Sequence, residues 1–220
     1  MPTITLYHAP GACSRVTMNA LEEIGLAYED KPINIYAGEQ KAPRFLAVNP
    51  TGKVPALRID SKVLTENAAI LFSLHQMYPH ARLLPDETDA SNAGLQDLVW
   101  CSSTLHPMVR QIRMPTRYTD GDPDGIKAHG MKHFAAVAAR IAARINDGRW
   151  WYGERWSIVD VYLYWICSTA AAGGVDLTGY PSILDHVKRV RARDSFVRAL
   201  ARERAAVQTA GITLPPGLSL

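Results

Sequence analysis

Apolar and polar positions along this chain follow two periods in turn. Thr3 to His8 alternates and is rich in β-forming residues, which predicts a strand. Pro10-Gly11-Ala12 is a turn. Val16, Ala20, Leu21 and Ile24 then fall at helical spacing over Ser14 to Ile24, and Gly25 supplies the stop. Tyr28 to Ile35 reads as a second strand, and Gly38 to Leu46 as a short irregular helix. Val54 to Ile59 and Lys62 to Leu64 form a hairpin that turns at Asp60-Ser61. Asn67 to Met77 is a helix with Ala69, Ile70, Leu74 and Met77 facing inward.

The order is β-α-β, then β-β-α, the order of a thioredoxin-like domain, expected over residues 1–80. Pro85 and several acidic and small residues mark Pro79 to Asn92 as a linker. Everything beyond it has helical period, so an all-helical domain is expected over residues 90–220. The fold class is thus α/β followed by all-α. Gly94 to Met114 reads as one long helix kinked at Pro107, whose ring clashes with the preceding turn. Ile126 to Ile145 carries Phe134, Val137, Ile141 and Ile145 on one face. Ser157-Ile158-Val159-Asp160 is a capping box that opens a helix apolar on nearly all sides. Pro181 to Arg193 and Phe196 to Ala206 complete the set.

Composition narrows the function classes. The chain has 220 residues, a formal charge of +3 and 47% apolar residues, an ordinary globular balance. So small a charge disfavours nucleic acid as a partner. The basic stretch from Lys188 to Arg204 reads as a solvated helix face. No secretory leader is visible at the start, and no apolar run reaches the ~20 residues of a membrane span. The three cysteines stand far apart, which suits a reducing cytoplasm rather than a disulfide framework.

Cys13 follows a strand and a turn and opens a helix. A sulfur there meets the positive end of a helix dipole, and Arg15 adds charge nearby, so the position favours a reactive thiol over a merely buried one. With no second cysteine in Cys13-Ser14-Arg15-Val16, two-thiol exchange is disfavoured and a mixed disulfide with a small thiol stays open. Val54-Pro55 at a strand start suggests a cis-proline that leaves the backbone of Val54 outside the ladder, available to an extended peptide. Thr65-Glu66-Asn67 precedes a helix. Asn67 suits a cap, and the helix N-terminus with a free Glu66 carboxylate suits both ends of an amino-acid head group. Thr51-Gly52-Lys53 lacks the upstream glycine of a phosphate loop. His129 and His133 stand at i, i+4 without the glutamate of a zinc protease, and read as a solvated pair.

Four segments together, Pro10-Gly11-Ala12-Cys13-Ser14, Asn49-Pro50-Thr51-Gly52-Lys53-Val54-Pro55-Ala56-Leu57, Leu64-Thr65-Glu66-Asn67-Ala68-Ala69-Ile70 and Ser157-Ile158-Val159-Asp160, resemble the cytosolic glutathione transferases, most closely their bacterial beta class. The resemblance covers nearly the whole chain. It implies a cytoplasmic, detoxifying homodimer that binds glutathione as co-substrate, without metal, and joins it to small electrophiles. Val54 would pair with the cysteinyl backbone of glutathione, Glu66 and Asn67 would hold its γ-glutamyl end, and Ala12, Lys53 and Pro55 would complete that site. Cys13 would sit at the glutathione sulfur with Ser14 nearby, Tyr7 as a secondary candidate and His106 facing from the first helix of the second domain. Ala12, His106, Arg110, Arg113 and Trp165 are the candidate walls of the electrophile pocket. Asn67 stands where the family usually has serine, and Val99 and Pro107 replace polar residues. A dedicated ether-cleaving or dehalogenating enzyme and a non-catalytic partner-binding relative are the alternatives.

Overall fold

The structure is a computed structural model that describes residues 2–85, 88–146, 148–215 and 220. It divides into two compact units, residues 1–83 with 193–220, and residues 84–192.

The first unit is built on a four-stranded sheet in the order β2-β1-β3-β4. Strand β1 (Ile4–His8) pairs parallel with β2 (Glu29–Pro32) and antiparallel with β3 (Ala56–Ile59), which pairs antiparallel with β4 (Lys62–Thr65). Helix α1 (Ser14–Ile24) crosses from β1 to β2 and α3 (Asn67–Met77) follows β4, while the single turn α2 (Pro43–Leu46) precedes β3. This is the thioredoxin-like arrangement that the element order predicted. Strand β2 is shorter than the apolar run suggested. It ends at Pro32, beyond which Asn34 folds the chain back by accepting the amides of Tyr36 and Ala37. Helix α3 is rotated from its expected face. Ala68, Ile70, Leu71 and Leu74 are buried, whereas Ala69 is exposed and Met77 is 47% exposed.

The last helix, α9 (Asp194–Thr209), belongs to this first unit rather than to the helical one expected over 90–220. Its arginines give the reason. Glu22 on α1 receives Arg198 at 3.0 Å and Arg202 at 2.7 Å; Arg202 also reaches Asp30 at 2.9 Å, and Arg193 reaches Glu23 at 2.6 Å. Arg193, Arg198 and Arg202, within the stretch read as a solvated basic face, instead form a docking edge, while Lys188 and Arg204 are exposed as expected. Asp30 in turn lies 3.5 Å from buried His8, and His8 and Arg202 hold its carboxyl below the ordinary carboxylate value.

The second unit holds α4 (Thr88–Trp100), α5 (His106–Arg113), α6 (Pro123–Asn146), α7 (Ile158–Ala172) and α8 (Pro181–Arg191). The expected long kinked helix is two helices joined by a π-helical turn, Cys101–Leu105, closed by the amide of His106 on the carbonyl of Cys101. Pro107 has no amide to offer the preceding turn, and the wider turn next to it accommodates that loss. Helix α7 is buried along most of its length. The Asp160 carboxylate, fully buried, accepts the amide and hydroxyl of Ser157 at 2.8 and 3.0 Å, the amide of Trp151 at 2.8 Å, and contacts His186 at 2.9 Å. Among the described residues no helix is long and apolar enough to cross a membrane.

Candidate functional site

In the first unit the turn after β1 places Cys13 at the N-cap of α1. The residue is 7% exposed, and its Sγ lies 3.8 Å from the carbonyl oxygen of Val54. Val54 and Pro55 are joined by a cis peptide, and both lie outside β3, which begins at Ala56. The loop that delivers them is wound around buried Asn49. Its side chain donates to the carbonyl of Lys53 at 2.7 Å and accepts the amide and hydroxyl of Thr51. Gly52 is required here, because its φ is 62° and a Cβ would stand 2.9 Å from the carbonyl oxygen of Gln40. Lys53 itself is exposed and Ala12 is half-buried.

Glu66 precedes α3 in the left-handed region (φ 64°) and is exposed. This backbone turns its carboxylate outward at the start of a helix, where the first amides have no intrahelical partner. Asn67 is buried and points inward. It donates to the carbonyl of Cys13 at 2.8 Å and accepts the hydroxyl of Thr17 at 2.6 Å. Its side chain therefore braces the Cys13 turn against α3, and its backbone amide is what remains for a ligand at the helix N-terminus. Cys13, Val54 and Asn67 thus meet at one point.

Other candidates serve the scaffold. The Ser14 hydroxyl is fully buried; it donates to the Ala9 carbonyl at 3.2 Å and accepts the Ala9 amide at 3.0 Å. Tyr7 lies in the core with Ile33, Phe45 and Ala56, its ring 5.9 Å from that of Phe45. Arg15 was expected to lend its charge to Cys13. It is 4% exposed and bound to Glu203 of α9, with Nε 2.6 Å from Oε2. Its charge is thus paired with a buried carboxylate. Glu203, itself fully buried, also accepts the Gly11 amide at 3.2 Å, and the Tyr36 hydroxyl donates to the Pro10 carbonyl. Asn49, Thr17 and Glu203 are the positioning residues that sequence reasoning missed. Only Asn49 carried a signal, as the first residue of an Asn-Pro turn.

In the second unit His106 opens α5 directly after the π turn, and its ring stands edge-on to Trp165 of α7 with centroids 4.6 Å apart. Val109 and Ile112 fill the core side of α5. Arg110 and Arg113 fall one and two turns beyond His106 on the neighbouring stripe, both half-buried. Arg110 has no carboxylate partner among the described residues. Cys101 and Cys167 are buried in this unit. Burial pushes the Cys167 thiol up to about 12 and that of Cys101 well above its ordinary value, with the Asp97 charge adding to the latter.

The N-terminal domain of glutathione S-transferases matches residues 2–76 of the chain. A glutathione S-transferase of Xanthomonas campestris pv. campestris is 29% identical over 90% of this chain and 98% of its own. The maleylacetoacetate isomerase of Pseudomonas aeruginosa is 30% identical over 88% and 92%. The disulfide-bond oxidoreductase YfcG of Escherichia coli is 27% identical over 90% and 95%. Among solved structures, a glutathione transferase homologue from Sulfitobacter with bound glutathione has a TM-score of 0.81 at 30% identity, covering 97% of this chain and all (100%) of that one. A bacterial beta-class glutathione S-transferase from Sphingomonas chungbukensis has a TM-score of 0.80 at 29% identity, covering 90% and 98%.

Proposed function

Because the chain belongs to the glutathione S-transferase superfamily, we propose that it takes glutathione as co-substrate, joins the glutathione thiolate to small electrophiles, and exchanges thiols through a Cys13–glutathione mixed disulfide. The observation that carries this reading is the thiol of Cys13 at 3.8 Å from the carbonyl of Val54, a peptide-pairing group outside the strands. The residues present suit an extended thiol peptide. The backbone of Val54 offers a carbonyl and an amide. The α3 N-terminus, including the amide of Asn67, suits a carboxylate, and Glu66 suits an ammonium. In exchange, the Cys13 thiolate attacks one sulfur of glutathione disulfide. A Cys13–glutathione bond forms, the original S–S bond breaks, and one glutathione thiolate leaves. In conjugation the nucleophile is the sulfur of glutathione itself, and the protein's part is to hold it at the positive end of α1.

Calorimetric titration with glutathione tests the site. Glu66→Gln removes the charge that faces the ammonium, and about a ten-fold weaker affinity is expected. Unchanged affinity would remove Glu66 from the site.

A second reading, an acidic substrate, is favoured by Arg110 and Arg113 on α5 and by the relative named maleylacetoacetate isomerase. Its test is a matched pair of chloronitroarenes, one neutral and one bearing a carboxylate. In either case the C–S bond forms, chloride leaves and the thiol proton goes to solvent. Arg110→Met is expected to lower the ratio of kcat/KM for the acid to that for the neutral compound about ten-fold, and Arg110→Lys to restore most of it. An unchanged ratio in Arg110→Met would discard this reading.

A further inference from the structure

His129 and His133 lie outside everything assigned above. They are one turn apart on the exposed side of α6, with Phe134, Ala138 and Ile141 buried on the other side. Spacing alone suggests a solvated pair. Here the two rings converge, with centroids 4.3 Å apart at an interplanar angle of 57°, and their Nε2 atoms stand 3.0 Å from each other.

Two arrangements place two imidazole nitrogens at that distance. In the first, one ring donates its Nε2–H to the other, a hydrogen bond exposed to water and of little net worth. In the second, both rings are neutral and turn their Nε2 lone pairs to one cation. A nitrogen-to-metal bond of about 2.1 Å with a right-angled bite sets adjacent ligands about 3.0 Å apart, while a tetrahedral bite sets them about 3.4 Å apart. The 3.0 Å between the two Nε2 atoms lies within a small side-chain adjustment of either. Helix geometry supports the same end, because i and i+4 side chains leave a helix on one face and α6 is 24 residues long, firmly held through its buried side.

We infer that His129 and His133 form a bidentate clamp for one divalent transition cation. Water fills the remaining positions, since no group of three or more His, Cys, Asp or Glu side chains suited to a metal occurs among the described residues. Neither histidine touches the hydrophobic side of α6, so substitution leaves the packing of the helix intact.

The experiment is calorimetry of the full chain with nickel(II), copper(II) and zinc(II) chlorides, on the wild type, His129→Gln, His133→Gln and the double variant, all in a Cys13→Ala background so that the thiol does not compete. One ion per chain is expected. Each single substitution should weaken it by about ten-fold or more, since a chelate becomes a single ligand, and the double substitution should abolish it. The visible absorption of bound copper(II) should disappear in step. Binding unchanged in the double variant, or no binding by the wild type, overturns the inference.

Discussion

Replacing Cys13 with alanine is expected to abolish glutathione adduct formation on this protein altogether. Wild-type chain treated with glutathione disulfide under native conditions should gain one glutathione, on Cys13, by mass spectrometry of the intact and digested protein. Three features set the selectivity. Cys13 caps a helix N-terminus, which favours a thiolate. Burial pushes the Cys167 thiol up to about 12, which keeps it protonated near neutral pH. Cys101 is pushed up as well and is fully buried. With the sulfur of residue 13 gone, no thiolate remains that can attack. Conjugation should decline less than exchange in the same variant, because its nucleophile arrives with the substrate and the amides at the start of α1 are unaltered by the substitution. Ser14 is a poor substitute, since its proton is committed to the Ala9 carbonyl. Equal labelling of all three cysteines in the wild type, or an adduct on Cys13→Ala, would make Cys13 a structural residue.

How far the residues alone led to this site depends on the range of the interactions that build it. Local terms were readable. The alternation of Thr3 to His8, the glycine stop at Gly25, the Asp60-Ser61 turn and the Ser157–Asp160 box each act within a few residues, and each stands where its local chemistry put it. The rotation of α3 was not readable, because that helix is apolar around most of its circumference and Ala69 and Met77 compete with Ala68 and Leu71 for the inner face. Asn67 was visible as a helix-start residue. Its role as a brace required knowing that the carbonyl of Cys13 would stand 2.8 Å away across 54 residues of chain. The placement of α9 failed for the same reason. Its pattern of arginines is that of an ordinary solvated helix until Glu22, Glu23 and Asp30 are brought opposite.

The largest stability effect should come from the longest of these contacts. Glu203 lies 188 residues from Arg15, and in the fold both are buried, with the carboxylate also holding the Gly11 amide two residues before Cys13. Glu203→Ala leaves a guanidinium, 4% exposed, without its counter-charge and a turn amide without its acceptor. Removing one member of a buried pair typically costs about 3–5 kcal/mol, far more than an exposed pair contributes, because the surviving charge stays out of water. Urea denaturation should show a loss of that size in Glu203→Ala. The double variant Arg15→Leu with Glu203→Leu should recover a large part of it, since no charge is then left buried, although the Gly11 amide still lacks its acceptor. A loss under about 0.5 kcal/mol in Glu203→Ala would mean that the pair is solvated in solution and that α9 is held by Glu22, Glu23 and Asp30 instead. If the loss is large, the Cys13 turn should loosen with it. The folded variant should then form the glutathione adduct with a rate that falls along with stability across Glu203→Gln, Glu203→Asp and Glu203→Ala, because the same carboxylate sets both the docking of α9 and the shape of the turn.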